Sequence, residues 1–207
     1  MKRRSCIKAG IVGLGVMAIA EKSKALEYYP KKSDKKWAVI YSTWCGSSRD
    51  AGVWISEGMG GIADVFDVRE NPDPQKYDHI VVGGSIRSNA VSKEMQDYLA
   101  KNKAALKERI RGLFCVMGNM KRPVGPENDK QLIDGHLSKL TEVSGVPGKC
   151  FNGRITLSLL EPESYQMMSS MGMTDYDLMK RSDFMDFGKV ILDSAKQQTP
   201  TAGKPSE

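Results

Sequence analysis

The chain has 207 residues, 40% of them hydrophobic and 27% charged, with a formal charge of +6. That length buries one core rather than two, and the composition is that of an ordinary soluble globular domain. The charge does not mark a nucleic-acid binder. Residues 1–25 hold six basic side chains against the single acid Glu21, which leaves about +1 for the rest, and no basic run interleaved with aromatics follows.

Residues 1–25 read as a targeting segment. A basic start, Lys2-Arg3-Arg4, precedes the weakly apolar stretch Ala9 to Ala20, and small residues follow at cleavage spacing before a cut after Ala20 or Ala25. As a helix that stretch would reach only ~18 Å, short of a ~30 Å hydrocarbon core. No integral membrane span is therefore expected in the mature chain. Arg3-Arg4-Ser5-Cys6-Ile7-Lys8 resembles the twin-arginine export signal, which implies an exported protein on the periplasmic or cell-surface side.

Residues 26–35 are a polar lead-in to a domain expected over 36–196. "WAVIYS" (37–42) is a short β-branched and aromatic run, the pattern of a buried strand. Ala51, Trp54, Ile55 and Met59 then recur at helical spacing, with Asp50 near the helix start where an acid suits the dipole. "ADVFDV" (63–68) alternates as an edge strand does, and "HIVVGG" (79–84) reads as a fully buried one. A long helix is predicted from about Ser92 to Arg111, with Met95, Leu99, Leu106 and Ile110 on its stripe. "LFCVMG" (113–118) is the next strand, and Leu132, Ile133, Leu137 and Leu140 mark the next helix. "GRITLSLL" (153–160) is read as the last strand. Phe184, Phe187, Val190 and Ile191 define a closing helix, and 197–207 a disordered tail. Strands alternating with helices predict an α/β three-layer, doubly wound sandwich around a five-stranded parallel sheet.

Four cysteines, Cys6, Cys45, Cys115 and Cys150, show no C-x-x-C and no Cys/His cluster, so no metal site is indicated. Cys115 suits a small core position; spacing lends a Cys45–Cys150 disulfide little support. His79 and His136 are read as structural or exposed. The turn "STWCGSS" (42–48) lies where a doubly wound sheet places its ligand, after the first strand and opening the first helix. Thr43, Ser47 and Ser48 can donate to phosphate oxygens, and Gly46 lets the backbone approach closely. The absence of G-x-x-x-x-G-K-[ST] and of G-x-G-x-x-G excludes a triphosphate loop and a dinucleotide fingerprint. The residues alone leave two readings open: an anion cradle, or a helix capped by Ser47 or Ser48.

Two further loops, "GGSIRSNA" (83–90) and "GNMKRP" (118–123), follow strands and should meet that turn at one sheet edge. Together the three resemble the flavodoxin family, most closely the menaquinone-dependent protoporphyrinogen dehydrogenases of flavodoxin type. The motif S-T-x-x-G-x-[ST] is matched by Ser42, Thr43, Gly46 and Ser48, and the Y-D…G-x-S-I-R element by "YDHIVVGGSIR" (77–87). The resemblance implies strand order 2-1-3-4-5 and an FMN site. In it Thr43, Trp44, Cys45, Gly46, Ser47 and Ser48 hold the phosphate, Ser42 belongs to the same cofactor-binding loop, and Ser85, Ile86, Arg87, Met117, Gly118 and Asn119 line the ring. Trp44, Tyr165, Met117 and Met120 are the side chains available to pack it. The expected function is an exported FMN-dependent redox protein exchanging electrons with a quinone, a small molecule or a protein partner. Alternatives are a protoporphyrinogen dehydrogenase-like enzyme, or a non-catalytic module of the same fold that has lost FMN and binds a partner through the methionine-rich segment 167–185. No catalytic side chain is assigned by the sequence.

Overall fold

The computed structural model describes residues 31–198. The expected export signal, the first half of the lead-in (26–30) and most of the tail (199–207) lie outside the described residues. Five strands, β1 (Trp37–Ser42), β2 (Ala63–Asp67), β3 (His79–Ser85), β4 (Ile110–Met117) and β5 (Gly148–Asn152), form one sheet ordered β2-β1-β3-β4-β5. Every pairing in it is parallel. Fold class and strand order are as expected.

Alternation along the strands divides the core in two, because successive side chains point to opposite faces. Trp37, Val39, Tyr41, Val81 and Phe114 face one side and pack on α1 (Ser47–Gly58) and α6 (Arg181–Gln198). Ala38, Ile40, Ile80, Val82, Leu113 and Cys115 face the other. They meet α2 (Lys93–Lys101), α3 (Lys103–Lys107) and α4 (126–141) through Met95, Leu99, Leu106, Leu132 and Leu137. With both faces covered, the inner strands carry almost no polar side chains, as a parallel sheet requires.

Four elements depart from the sequence-based expectation. The long helix stops at Lys101, where Asn102 turns its Nδ2 onto the Tyr98 carbonyl at 3.0 Å, and a second short helix follows. Ile110 belongs to β4: Arg109 turns the chain through its N–H to the Leu106 carbonyl (2.9 Å), and Ile110 is buried as a strand residue instead. The last strand is Gly148–Asn152, not 153–160. It is an edge strand with only Cys150 and Phe151 buried, so its apolar signal is weaker than that of the following segment. That segment instead gives the two-residue strand β6 (Arg154–Ile155), paired antiparallel with β7 (Tyr176–Asp177), then a turn at Leu157–Leu159 and α5 (Pro162–Ser170). Finally, α6 continues through Gln197 and Gln198, and its buried stripe is Phe184, Phe187, Ile191 and Ala195, with Val190 53% exposed.

The middle of α4, Asp129–Leu137, is π-helical, and Asp129 Oδ1 accepts the Cys150 N–H at 2.6 Å, which ties α4 to the sheet edge. Cys45, Cys115 and Cys150 are free and buried. His136 Nε2 accepts the Val91 N–H at 3.1 Å, so it is a structural residue. Within the lead-in, the Lys31 N–H donates to the Gly61 carbonyl at 2.7 Å.

Candidate functional site

The strands' C-terminal ends carry the three expected loops. Leaving β1, the chain turns through Gly46, which sits at the helix N-cap in the left-handed region (φ +79°) and makes no side-chain cap bond. Ser47 and Ser48 are therefore not caps. They are the first two residues of α1, both buried. Ser48 Oγ lies 2.7 Å from Ser85 Oγ, a buried bond that joins this loop to the end of β3. Gly84 makes a second join: a Cβ there would collide with Ser42 Oγ, so the two strand ends approach closely only because it is glycine.

Among the described residues, four buried side-chain polar atoms lack a hydrogen-bond partner, and three of them lie at strand ends on this edge: Ser42 Oγ and Thr43 Oγ1 together after β1, and Asn152 Oδ1 at the end of β5. An unsatisfied buried hydroxyl costs about 1–3 kcal/mol. A protein keeps such groups where a ligand completes them. Backbone strain collects here too. Of the seven non-glycine residues with left-handed φ among the described residues, five lie in the two flanking loops: Ser88 and Asn89 after β3, and Asn119, Met120 and Lys121 after β4. Each left-handed residue costs roughly 1–2 kcal/mol, and strain of this kind marks sites whose shape is fixed for a purpose.

A cavity of 280 Å³ opens between these loops. It brings together eight of the expected residues: Trp44, Cys45, Ser47, Ser85, Ile86, Arg87, Gly118 and Asn119. Ser42 and Thr43 line a neighbouring 230 Å³ cavity that shares Trp44 as a wall and is edged by Asp67, Arg69 and Glu94. Gly46 and Ser48 line neither; one shapes the turn and the other braces Ser85. Met117 is a correction. Strand parity puts it on the face of Leu113 and Cys115, packed on the core rather than in the cavity, and Met120 lines the cavity in its place. Tyr165, 47% exposed, is likewise not part of the lining.

Sequence reasoning missed the wall built by the β5–α6 segment: Arg154, Ile155, Leu160, Ser164, Met168 and Tyr176. Reading 153–160 as a sheet strand hid it. The available signal was "GKCFNG", a short run bounded by glycines directly before Arg154. Tyr176 Oη donates to the Gly118 carbonyl at 3.1 Å, holding the wall against the loop after β4.

The charges of the site are mostly engaged. Arg87 Nη1 donates to Glu161 Oε2 at 2.8 Å, its Nη2 reaches Ser164 Oγ, and its guanidinium lies 5.8 Å from the Trp44 ring centroid. It is a clasp between the β3 loop and α5, not a free cation beside a ligand. Glu161 is held below the usual carboxylate range by its own backbone N–H, with Arg87 contributing. Lys121 Nζ lies 5.3 Å from the Tyr176 ring centroid. Arg154 bridges Asp50 on α1 (2.5 Å) and Asp177 (3.8 Å). Burial pushes the Cys45 thiol up, so it is a poor nucleophile near neutral pH. Among the described residues no group of three or more His, Cys, Asp or Glu could hold a metal, and no helix is long and apolar enough to cross a membrane. What the arrangement offers is a helix N-terminus with orphaned hydroxyls at one end and a gap between two strained loops at the other. Such a site suits a ligand with an anionic end and a ring.

The flavodiiron core Flv1 of Synechocystis sp. PCC6803 superposes with a TM-score of 0.50 at 13% identity, covering 89% of this chain and 41% of that one. The chain thus spans about two fifths of that protein's length. Flavodoxin 1 of Bacillus cereus gives 0.48 at 13% identity (76% of this chain, 97% of that one). A flavodoxin from the domain Archaea gives 0.49 at 12% (78% and 99%). No functionally curated protein matches the sequence. Flavodoxin domains bind FMN and carry electrons, and residues 38–178 match the family model described as a flavodoxin domain. With most of the described residues inside that match and the sheet order in agreement, this protein belongs to the flavodoxin-domain family.

Proposed function

We propose that this chain binds FMN and works as a redox protein, exchanging electrons with a quinone, a small molecule or a protein partner outside the cytoplasm. The observation that carries it is the convergence of Ser47, Ser85, Arg87 and Asn119 from three strand ends on one cavity beside the orphaned hydroxyls of Ser42 and Thr43. These residues fit the cofactor of the family. Bound there, FMN supplies electron and hydride transfer.

The chain's own part is binding and tuning. The backbone of 43–48 with the hydroxyls of Thr43 and Ser47 would hold the phosphate at the α1 N-terminus, while Ser48 braces Ser85. The 85–88 and 118–120 loops would flank the ring, and Trp44 and Met120 would be its apolar neighbours. Asn119 Nδ2 braces its loop on the carbonyls of Arg122 (3.3 Å) and Pro123 (3.1 Å). Among the described residues Lys121 and Arg122 have no acid within ion-pair distance. Positive charge near a bound flavin would favour the reduced anionic form, so these cations of the loop after β4 support two-electron exchange at a raised potential as the expected behaviour.

The "YDHIVVGGSIR" motif supports kinship with the menaquinone-dependent protoporphyrinogen dehydrogenases, and with it a quinone as partner. The twin-arginine pattern supports export, a route that suits a domain loaded with its cofactor before it leaves. Purified full-length protein should be yellow, with a flavin band in the blue. Colourless protein that FMN reconstitution cannot colour would overturn the reading and favour the module that has lost FMN. A redox titration should give one two-electron wave; two well-separated one-electron waves would remove the tuning argument. Arg3→Lys/Arg4→Lys should retain the protein in the cytoplasm, and unchanged export of that variant would exclude the twin-arginine route.

A further inference from the structure

Arg154 is the cation that the sequence concealed. It stands at the first step after β5, fixed by β6–β7 pairing opposite Asp177, with Gly153 N–H bonded to the Met117 carbonyl at 2.8 Å. Its guanidinium crosses to the first turn of α1 and reaches Asp50, 104 residues away in sequence. Nη2 lies only 3.6 Å from where a Cβ on Gly46 would be, so the group hangs directly over the left-handed glycine of the first loop. The side chain is 24% exposed and lines the same cavity as Ser47.

This placement runs against simple electrostatics. A helix N-terminus is the positive end of the dipole and repels a cation. Asp50 offsets that repulsion and Asp177 adds to the offset, so the resident charges come close to balance with the guanidinium still facing the cavity. Arginine also presents several donors in a planar fork, more than one carboxylate can use. A phosphate dianion entering the cavity beside Ser47 would meet both the first amides of α1 and a pre-oriented guanidinium.

We propose that Arg154 is a phosphate-binding and specificity-determining residue: it donates to the terminal phosphate of the flavin and makes the site select FMN over riboflavin by charge. The inference rests on the FMN reading above. It adds that the phosphate is held by a charged side chain as well as by backbone amides and hydroxyls. A charge-assisted contact of this kind corresponds to about a 10- to 100-fold change in affinity.

The test uses the full-length protein stripped of flavin and titrated with FMN and with riboflavin at low and high salt. Arg154→Met should weaken FMN about 10- to 100-fold while leaving riboflavin within about twofold. It should also flatten the salt dependence of FMN binding. Arg154→Lys should restore part of the loss. Asp50→Asn, which removes a like charge from the phosphate's neighbourhood, should tighten FMN severalfold. Equal loss of both flavins in Arg154→Met, or undiminished FMN affinity, would overturn the proposal. Should Arg154→Met fail to fold, Arg154→Lys and Asp50→Asn decide it by the same FMN-to-riboflavin ratio.

A second readout separates this idea from the FMN reading. Inorganic phosphate should raise the Tm of the flavin-free protein relative to chloride at equal ionic strength, and Arg154→Met should abolish the rise. Wild type that binds neither flavin but keeps this Arg154-dependent rise would retain the anion site and reject the FMN reading. Wild type indifferent to flavins and phosphate alike would reject both.

Discussion

Replacing Gly46 with alanine isolates the first loop from the rest of the molecule. Gly46 has φ +79°, and alanine in that region costs about 1–2 kcal/mol. No steric penalty adds to it, because the new Cβ meets Arg154 Nη2 at 3.6 Å, an ordinary contact. Gly60 provides the control. It has φ +88°, no atom lies within 4 Å of a Cβ built there, and it sits just beyond the other end of α1. Both variants therefore carry the same backbone cost. In a domain of this size about 1 kcal/mol moves Tm by roughly 2–4 °C, so each should melt roughly 2–8 °C lower. Their binding should differ. The Gly46→Ala methyl sits against the Arg154 guanidinium and strains the turn that leads into Ser47, and FMN affinity should fall about tenfold, or ~1.4 kcal/mol. Gly60→Ala should bind FMN within about twofold of wild type, since its strain is remote from the cavity. Thermal melts and fluorescence titration of the flavin-free proteins measure both quantities. Equal affinity losses in the two variants, or an unchanged Tm in Gly46→Ala, would refute the reasoning.

Ser85→Ala leaves the buried Ser48 hydroxyl without its 2.7 Å partner and should destabilise the fold by about 1–3 kcal/mol in urea unfolding. Adding Ser48→Ala should recover part of that loss; strict additivity would show that the two hydroxyls do not act as a pair. Burial pushes the His136 imidazole below its ordinary value near 6.5, because its Nε2 must stay unprotonated to accept the Val91 N–H. Above that pH both states are neutral and the contribution is fully present. Below it the unfolded chain takes the proton first, so stability falls as pH drops through that ordinary value. His136→Gln keeps an acceptor without the titration and should flatten that slope; the residual belongs to His79, pushed down by burial and then by Arg111. A slope unchanged in His136→Gln would show that the imidazole is not the acceptor.

Local periodicity fixed most of this fold in advance. The runs 37–42, 79–84 and 113–118 read as strands because burial on both faces excludes polar residues from them, a property of the segment itself. The hydroxyl turn and the "GGSIR" stretch were legible for a similar reason: close approach and helix entry demand particular residue types at particular positions. β5 was not legible, since an edge strand with two buried residues carries little pattern of its own. Ile110 was misread because one buried apolar residue serves a helix stripe and a strand equally well, and Met117 because alternation, not proximity in sequence, decides which side of the sheet a residue faces. Arg154 lay beyond any such reading. Its partners Asp50 and Gly46 stand about a hundred residues earlier in the chain. Short-range repetition records whether a residue is buried, whereas the meeting of distant charges depends on where the chain returns after crossing the sheet, which only the folded structure specifies.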